Sequence, residues 1–498
     1  MKRTKTPLAL VCLLLALCLF SGCGLIVYTD EHAAKTTAPS NQGAMTTAPA
    51  YTTGEIPPEA ELIDPSLKEQ AKERLDKVFY MDMSGATVLV AVADETANIF
   101  SQGENAPLYS AYGERNKMLT DKLGCDFFVV NTSVEQMAAD LSASIKSGSN
   151  TSYYSDILLI PSTHAAFFAA SDLILDLRSL PFYTAASDGN KGAGYYNGKS
   201  FFDLGSVTES PELVYALYFN RDMTEADGAE ELYAAARDGS LTFDYLFAFS
   251  ERISVSGGSH SLSVGGAHDD ASFLGDIAAI RGGVDFVSGK SGGYPQISHS
   301  SSALDAVDAL VALLRETSVY LPSAPEGEGA PAAKTGAEIF AEGKSLFHMG
   351  TLSEMSSFYN KKTAWGVLPL PTLGGEPYAV ASQDRGVLCV SANNRRPDVM
   401  GVLLPALDAA SGEWIDGEYA AYCAENYIRD NDSFHMIKKI LSEEIYADFS
   451  YLHYENCKNL DAATFGAFRT AVLNGSTPSE NINAVLKDVN KALKKIKY

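Results

Sequence analysis

No apolar stretch in this sequence is long enough to cross a bilayer. The longest, Pro7 to Phe20, runs about 14 residues where a spanning helix needs roughly 20. Cysteine is sparse and scattered: seven occur, none in Cys-x-x-Cys spacing, which excludes a zinc cluster of that kind. Cys125, Cys389, Cys423 and Cys457 could pair in three ways, and their spacing does not choose among them. Basic residues are outnumbered, 38 to 62, so the chain carries a formal charge of −24. Such a surface excludes nucleic acid as a partner and gives no grip on anionic lipid. Signs of local catalysis are also missing. There is no His-Glu-x-x-His, and "GVDFVSGKS" (283–291) puts five residues between Gly283 and Gly289 where a phosphate loop needs four. The eight histidines are dispersed; His268-Asp269-Asp270 is the one tight group with carboxylates, a pattern that a solvated loop explains.

What is present begins at the N-terminus. Lys2, Arg3 and Lys5 precede the apolar run, and small residues precede Cys23, the layout of a secretory signal. Leu19-Phe20-Ser21-Gly22-Cys23 resembles the bacterial lipobox, with Phe20 where a smaller aliphatic is usual. The competing reading is an ordinary signal whose last cysteine is incidental, as Cys12 and Cys18 are. The expectation is a signal peptide over 1–22, acylation at Cys23, and a disordered Thr/Ala/Pro-rich linker over 23–65. Two acyl chains at the new N-terminus would anchor the protein durably to the outer face of the cell membrane. Removing Lys2, Arg3 and Lys5 takes the formal charge from −24 to −27.

The remaining 430 or so residues exceed what one hydrophobic core organises, so two lobes are expected. Helical spacing over 66–80 precedes a Val-rich strand at 86–94, a helix ending near Gly124, and a strand at 126–133. Val134, Met137, Leu141 and Ile145 then recur at helical spacing, and Gly148 stops that helix. A third strand follows at 155–162, with helix resuming through "THAAFFAASDLILDL". This alternation predicts an open α/β sheet with parallel crossovers, whose ligands bind beyond the carboxyl ends of the strands. Those ends place Glu95 and Thr96 after the first strand and Ser162, Thr163 and His164 after the third. Farther on, "LVYALYF" reads as a strand, Thr242 as a helix cap, and 302–318 as a strongly amphipathic helix. Tyr195, Tyr196, Tyr359 and Trp365 lie in or beside loops, where a ring can stack on a pyranose face; packing on their own lobe is the competing role.

Over residues 85–498 the order of segments resembles the extracellular solute-binding proteins of ABC importers, in their maltose-binding-protein-like branch. The resemblance rests on "YALYFNRDM" (215–223), "AARDGSLTFDYLFAFSERI" with Leu241 in a usual Trp place, "FAEGKSLFHMGTLSEM" (340–355), "AWGVLPLPTLGGEPYAV" (364–380), "SANNRRPDVMGVLLPAL" (391–407) and the closing "FRTAVLNGSTPSENINAVLKDVNKAL" (468–493). It implies a type II periplasmic-binding-protein-like fold of two α/β lobes with a hinge between them. The implied division is a first lobe over 66–210 and 383–440 and a second over 211–382 and 441–498. It further implies a monomer that captures a carbohydrate-like solute for a membrane permease, needs no cofactor or metal, and catalyses nothing. Glu212 or Leu213 falls near a family carboxylate at the crossing, and Leu352, after Gly350-Thr351, stands where the family has a stacking tryptophan, a departure that removes the ring an oligosaccharide would stack on. Glu95, Thr96, Ser162, Thr163 and His164 fall at polar contact loops. Alternatives are a surface glycan-active enzyme, a receptor for a peptide or cationic solute, or a receptor feeding a sensor.

Overall fold

The structure, a computed structural model, describes residues 63–496 apart from 95–97, 101–107, 149–154, 185–194, 197–198, 203–204, 209, 225–226, 254–258, 265–295, 298–300, 317, 321–333, 374–378, 383–384, 444, 447–452, 454 and 464. The first helix, α1 (Pro65–Lys77), starts where Asp64 accepts the Ser66 N–H and Pro65 supplies a preset φ. Strand β1 (Thr87–Ala93) leads to α2 (Tyr109–Leu123), which Gly124 ends in the left-handed region at φ 77°. Then come β2 (Asp126–Thr132), α3 (Val134–Ser147), β3 (Ile157–Pro161) and the short α4 (Ala165–Ala170). On α3, Val134, Met137 and Leu141 are buried as their spacing predicts, whereas Ile145 is exposed. The helix expected through residue 177 stops at Ala170. Asp172 takes φ 55°, and Ile174 then bridges Ser391 at the sheet edge.

A small hairpin, β4 (Tyr195–Tyr196) and β5 (Lys199–Ser200), precedes the passage to the second half. There the chain forms β6 (Tyr215–Asn220), α5 (Gly228–Asp238) and α6 (Phe243–Arg252), the last capped by Thr242 as expected. β7 (His260–Val264), α7 (Ser301–Glu316), β8 (Val319–Tyr320), α8 (Gly336–Ala341) and β9 (Ser345–Thr351) follow. After α9 (Met355–Phe358) come β10 (Trp365–Leu368) and β11 (Ala379–Val380). The chain closes with β12 (Gly386–Val390), α10 (Pro397–Ala410), α11 (Glu413–Asn426), α12 (Asn431–Ser442), β13 (Ile445–Tyr446), α13 (Phe465–Asn474) and α14 (Pro478–Leu493).

Two principal sheets result. The first has the order β12-β3-β1-β2, with β1 parallel to β2 and β3, and β12 antiparallel to β3. The second has the order β10-β6-β9-β7-β8, in which β6 runs against β9 and β10. Helices α1, α2, α10 and α11 cover one face of the first sheet, and α3 and α4 the other. Period-two alternation splits β6 between two cores: Leu217 and Phe219 pack toward α5, α6 and α7, while Ala216 and Tyr218 join the cluster that runs back under α11 to the first sheet. One apolar cluster thus continues from sheet to sheet beside the connecting segments. Cys125, Cys389, Cys423 and Cys457 are buried thiols. No helix among the described residues is long and apolar enough to cross a membrane.

Candidate functional site

The carboxyl ends of β1, β2 and β3 bring Asp94, Ser133 and Ser162 to one end of the first sheet. There the Asp94 N–H donates to the Thr132 carbonyl at 2.9 Å, and Ser133 caps α3. Ser162, Thr163 and His164 form one half-buried turn, with Thr163 Oγ1 3.1 Å from His164 Nδ1. This turn is fastened to the returning chain, because the Ser162 N–H donates to the Arg385 carbonyl at 3.1 Å. Glu95, Thr96 and Cys23 lie outside the described residues. Tyr195 and Tyr196 are placed on β4.

Two crossing segments run side by side between the sheets. Val214 bridges Ala381, and the Ser382 N–H donates to the Leu213 carbonyl at 2.8 Å. The buried Arg385 donates from Nε to the Thr208 carbonyl at 3.0 Å and from Nη2 to Thr208 Oγ1 at 3.3 Å. Its charge spends its donors on the neighbouring crossing, which fixes the pair as a unit. The turn after β9 joins them through the Leu352 N–H, which donates to the Val214 carbonyl at 2.8 Å.

That turn is built on a buried His–Glu pair. His348 Nε2 lies 2.7 Å from Glu354 Oε2, while Glu354 Oε1 accepts the Thr351 N–H at 3.2 Å. On the other side of the ring, His348 Nδ1 meets Ser263 Oγ at 3.1 Å. Tyr218 Oη donates to the Thr351 carbonyl at 2.8 Å, and Thr351 Oγ1 pairs with Ser353 Oγ at 2.8 Å. Gly350 is required here, since a Cβ would sit 2.4 Å from Glu354 Oε2. Leu352 is fully buried, and Trp365 packs edge-on to Tyr218 and Phe358 with 8% exposure. Both side chains belong to the core. Thr351, itself buried, and the half-buried Ser353 carry the hydroxyls of this turn.

Glu212 sits on the first crossing, in the turn Pro211–Leu213, with Oε2 enclosed and lacking a hydrogen-bond partner among the described residues. Its electrostatic neighbours are Tyr112 on α2 and Tyr419 and Cys423 on α11. Burial pushes its carboxyl up to about 7, against a weaker opposing effect of its own backbone N–H. A further concavity, about 550 Å³, opens between Ala170 at the end of α4 and the last turns of α14, with Asn456, Asp488, Lys491 and Lys495 on its walls. Asn456 Nδ2 reaches the Ala166 carbonyl of α4 at 3.5 Å.

Sequence reasoning passed over Arg385, His348, Glu354, Tyr112 and Arg115. For two of them a signal was present. A histidine inside the continuous apolar run of β9 and an arginine at the mouth of β12 are costly unless partnered. Among the described residues no group of three or more His, Cys, Asp or Glu could hold a metal ion.

A strand–helix alternation with two sheets, joined by paired crossings, defines a two-lobed binding-protein architecture. Residues 117–402, more than half of the chain, match the model for bacterial extracellular solute-binding proteins, and the chain belongs to that family. Among solved structures, it is similar to the cyclic alpha-maltosyl-1,6-maltose binding protein from Arthrobacter globiformis, at 14% identity and a TM-score of 0.52, covering 82% of this chain and 99% of that one. A cyclo/maltodextrin-binding protein complexed with maltotetraose is similar at 14% identity and a TM-score of 0.52, covering 83% of this chain and 98% of the other. No curated protein sequence matches the chain.

Proposed function

We propose that this protein captures a carbohydrate-like solute between its lobes and delivers it to an ABC permease, tethered at the outer membrane face through acylated Cys23. The observation that carries the reading is the family assignment over residues 117–402. The similar structures supply the solute class, since their names specify maltosyl-maltose and maltodextrin. Solute contacts are assigned to Ser162, Thr163 and His164 on the first lobe and Thr351 on the second. All four sit at carboxyl ends of strands, where open α/β sheets present polar groups. The contact of α12 with β10 of the second sheet supports a third crossing near the expected division at 440/441.

Closure requires only that the solute touch both lobes and so favour the closed population. A thermal-shift screen against mono- and oligosaccharides, amino acids, peptides and polyamines tests the assignment. A solute at a hundred times its Kd adds about 2.7 kcal/mol of stability, well within reach of such a screen. A sugar that raises the melting temperature and is recovered unchanged supports transport. A response to cations alone would replace the solute class, and a sugar consumed during the assay would make the protein an enzyme.

A further inference from the structure

A histidine inside a strand that is buried along its whole length costs stability unless both ring nitrogens find partners, and His348 of β9 has them. Its ring lies against those of Tyr218, Phe340 and Phe358. Nδ1 meets Ser263 Oγ on the neighbouring strand β7 at 3.1 Å, and Nε2 meets Glu354 Oε2 at 2.7 Å. Glu354 Oε1 accepts the Thr351 N–H at 3.2 Å, closing a reciprocal cap in which the Thr351 side chain accepts the Glu354 N–H. Three side chains therefore run in series from the interior of the second sheet to the backbone of the turn Leu352–Glu354. The carboxylate is held from a third side by Gly350, where even a Cβ would sit 2.4 Å from Oε2. The turn is also tied to the first crossing, through the Leu352 N–H and the Val214 carbonyl at 2.8 Å.

We infer that His348 and Glu354 are positioning residues for solute capture: they fix the turn that carries the hydroxyls of Thr351 and Ser353. This rests on the assignment of Thr351 as a solute contact made above. A buried polar chain of this kind adds little stability that apolar side chains of the same volume would not, so what it contributes is geometry. What it fixes reaches beyond the core it is built in. Thr351 Oγ1 pairs with Ser353 Oγ at 2.8 Å, and Ser353 is half-buried. Leu352 between them is fully buried, so the turn has no ring of its own and carries hydroxyls instead. Hydroxyls held in one arrangement before binding spare the solute the cost of ordering them, and a support looser by about 1 Å is enough to weaken a site.

The test compares substitutions that keep or break this chain of contacts. His348→Gln places an amide where Nε2 stood, within reach of Glu354, whereas the amide of His348→Asn reaches only the Nδ1 side. Glu354→Ala breaks the chain at the turn itself and carries the comparison if His348→Asn does not fold. Amide hydrogen exchange on the solute-free protein reads the turn directly. Exchange at the Thr351 and Leu352 N–H groups is expected to quicken about tenfold in His348→Asn and Glu354→Ala, as the loss of one buried hydrogen bond gives, with the amides of β1 and β3 unchanged. In His348→Gln it should stay within about threefold of the unaltered protein. Affinity for the sugar that scores in the thermal screen is expected to fall about tenfold in the two broken variants and to be kept in His348→Gln. Exchange at those two amides unaffected by His348→Asn and Glu354→Ala would overturn the inference, as would an equal loss of affinity in His348→Gln and His348→Asn. A screen in which no sugar binds sinks the solute assignment instead, while exchange still decides whether the chain positions the turn.

Discussion

Single residues carry most of what makes the crossing region unusual. Ionised Glu212 is disfavoured by burial, so the native state holds its proton up to about 7, whereas the unfolded chain releases it near the ordinary 4.5. Stability therefore falls as pH rises from about 4.5 to about 7 and then levels, a loss of about 3 kcal/mol from this group. Denaturant titrations at both limits should show that slope, and Glu212→Gln should remove it. Gly350 offers a sharper steric prediction. Gly350→Ala drives a methyl into the Glu354 carboxylate that holds His348, and should cost about 1–3 kcal/mol in the same measurement. Of this detail, sequence revealed positions more than roles. Trp365 and Tyr196 look alike as aromatics near loops, yet Trp365 belongs to a four-residue strand and is enclosed by Tyr218 and Phe358. Enclosure of that kind comes from partners about 150 residues away or immediately upstream, which local pattern does not report.

Elements were more legible, because their signals are local. Gly124 and Gly148 end α2 and α3 in the left-handed region, and Thr242 caps α6 by accepting the Tyr245 N–H at 3.1 Å. Thr242→Ala should lower stability by about 1 kcal/mol, read from a shift in the denaturation midpoint at unchanged slope. The failure at α4 has a physical reason: Leu173 and Leu175 continue an apolar helical pattern, but the strand edge at Val390–Ser391 takes up that backbone, with the Leu175 N–H donating to the Val390 carbonyl at 2.9 Å. Tertiary pairing overrode local periodicity. The placement of α12 is equally non-local. Buried Asp430 at its N-cap meets Arg221 at 3.2 Å and also accepts from Tyr233 Oη at 3.1 Å, tying the helix to the end of β6. Asp430→Ala strips a buried arginine of its counter-charge and should cost about 3–5 kcal/mol, loosening α12 before the first sheet in hydrogen exchange.

At the scale of the molecule, alternating strands and helices announced an α/β protein, and chain length announced more than one core. Which helices would serve both sheets was invisible, since the apolar cluster shared through α11 and α12 depends on chain return after residue 390. That shared cluster has a functional consequence. It lies beside the crossings, and under the closure proposed above a solute would supply its differential contacts at the strand-end side. The central claim is that a carbohydrate closes these two lobes. Its most direct test is the radius of gyration measured with and without the sugar that scores in the thermal screen. A contraction that saturates with sugar concentration is the predicted result; a sugar that binds without changing the dimensions, or a screen in which no sugar binds, would contradict it.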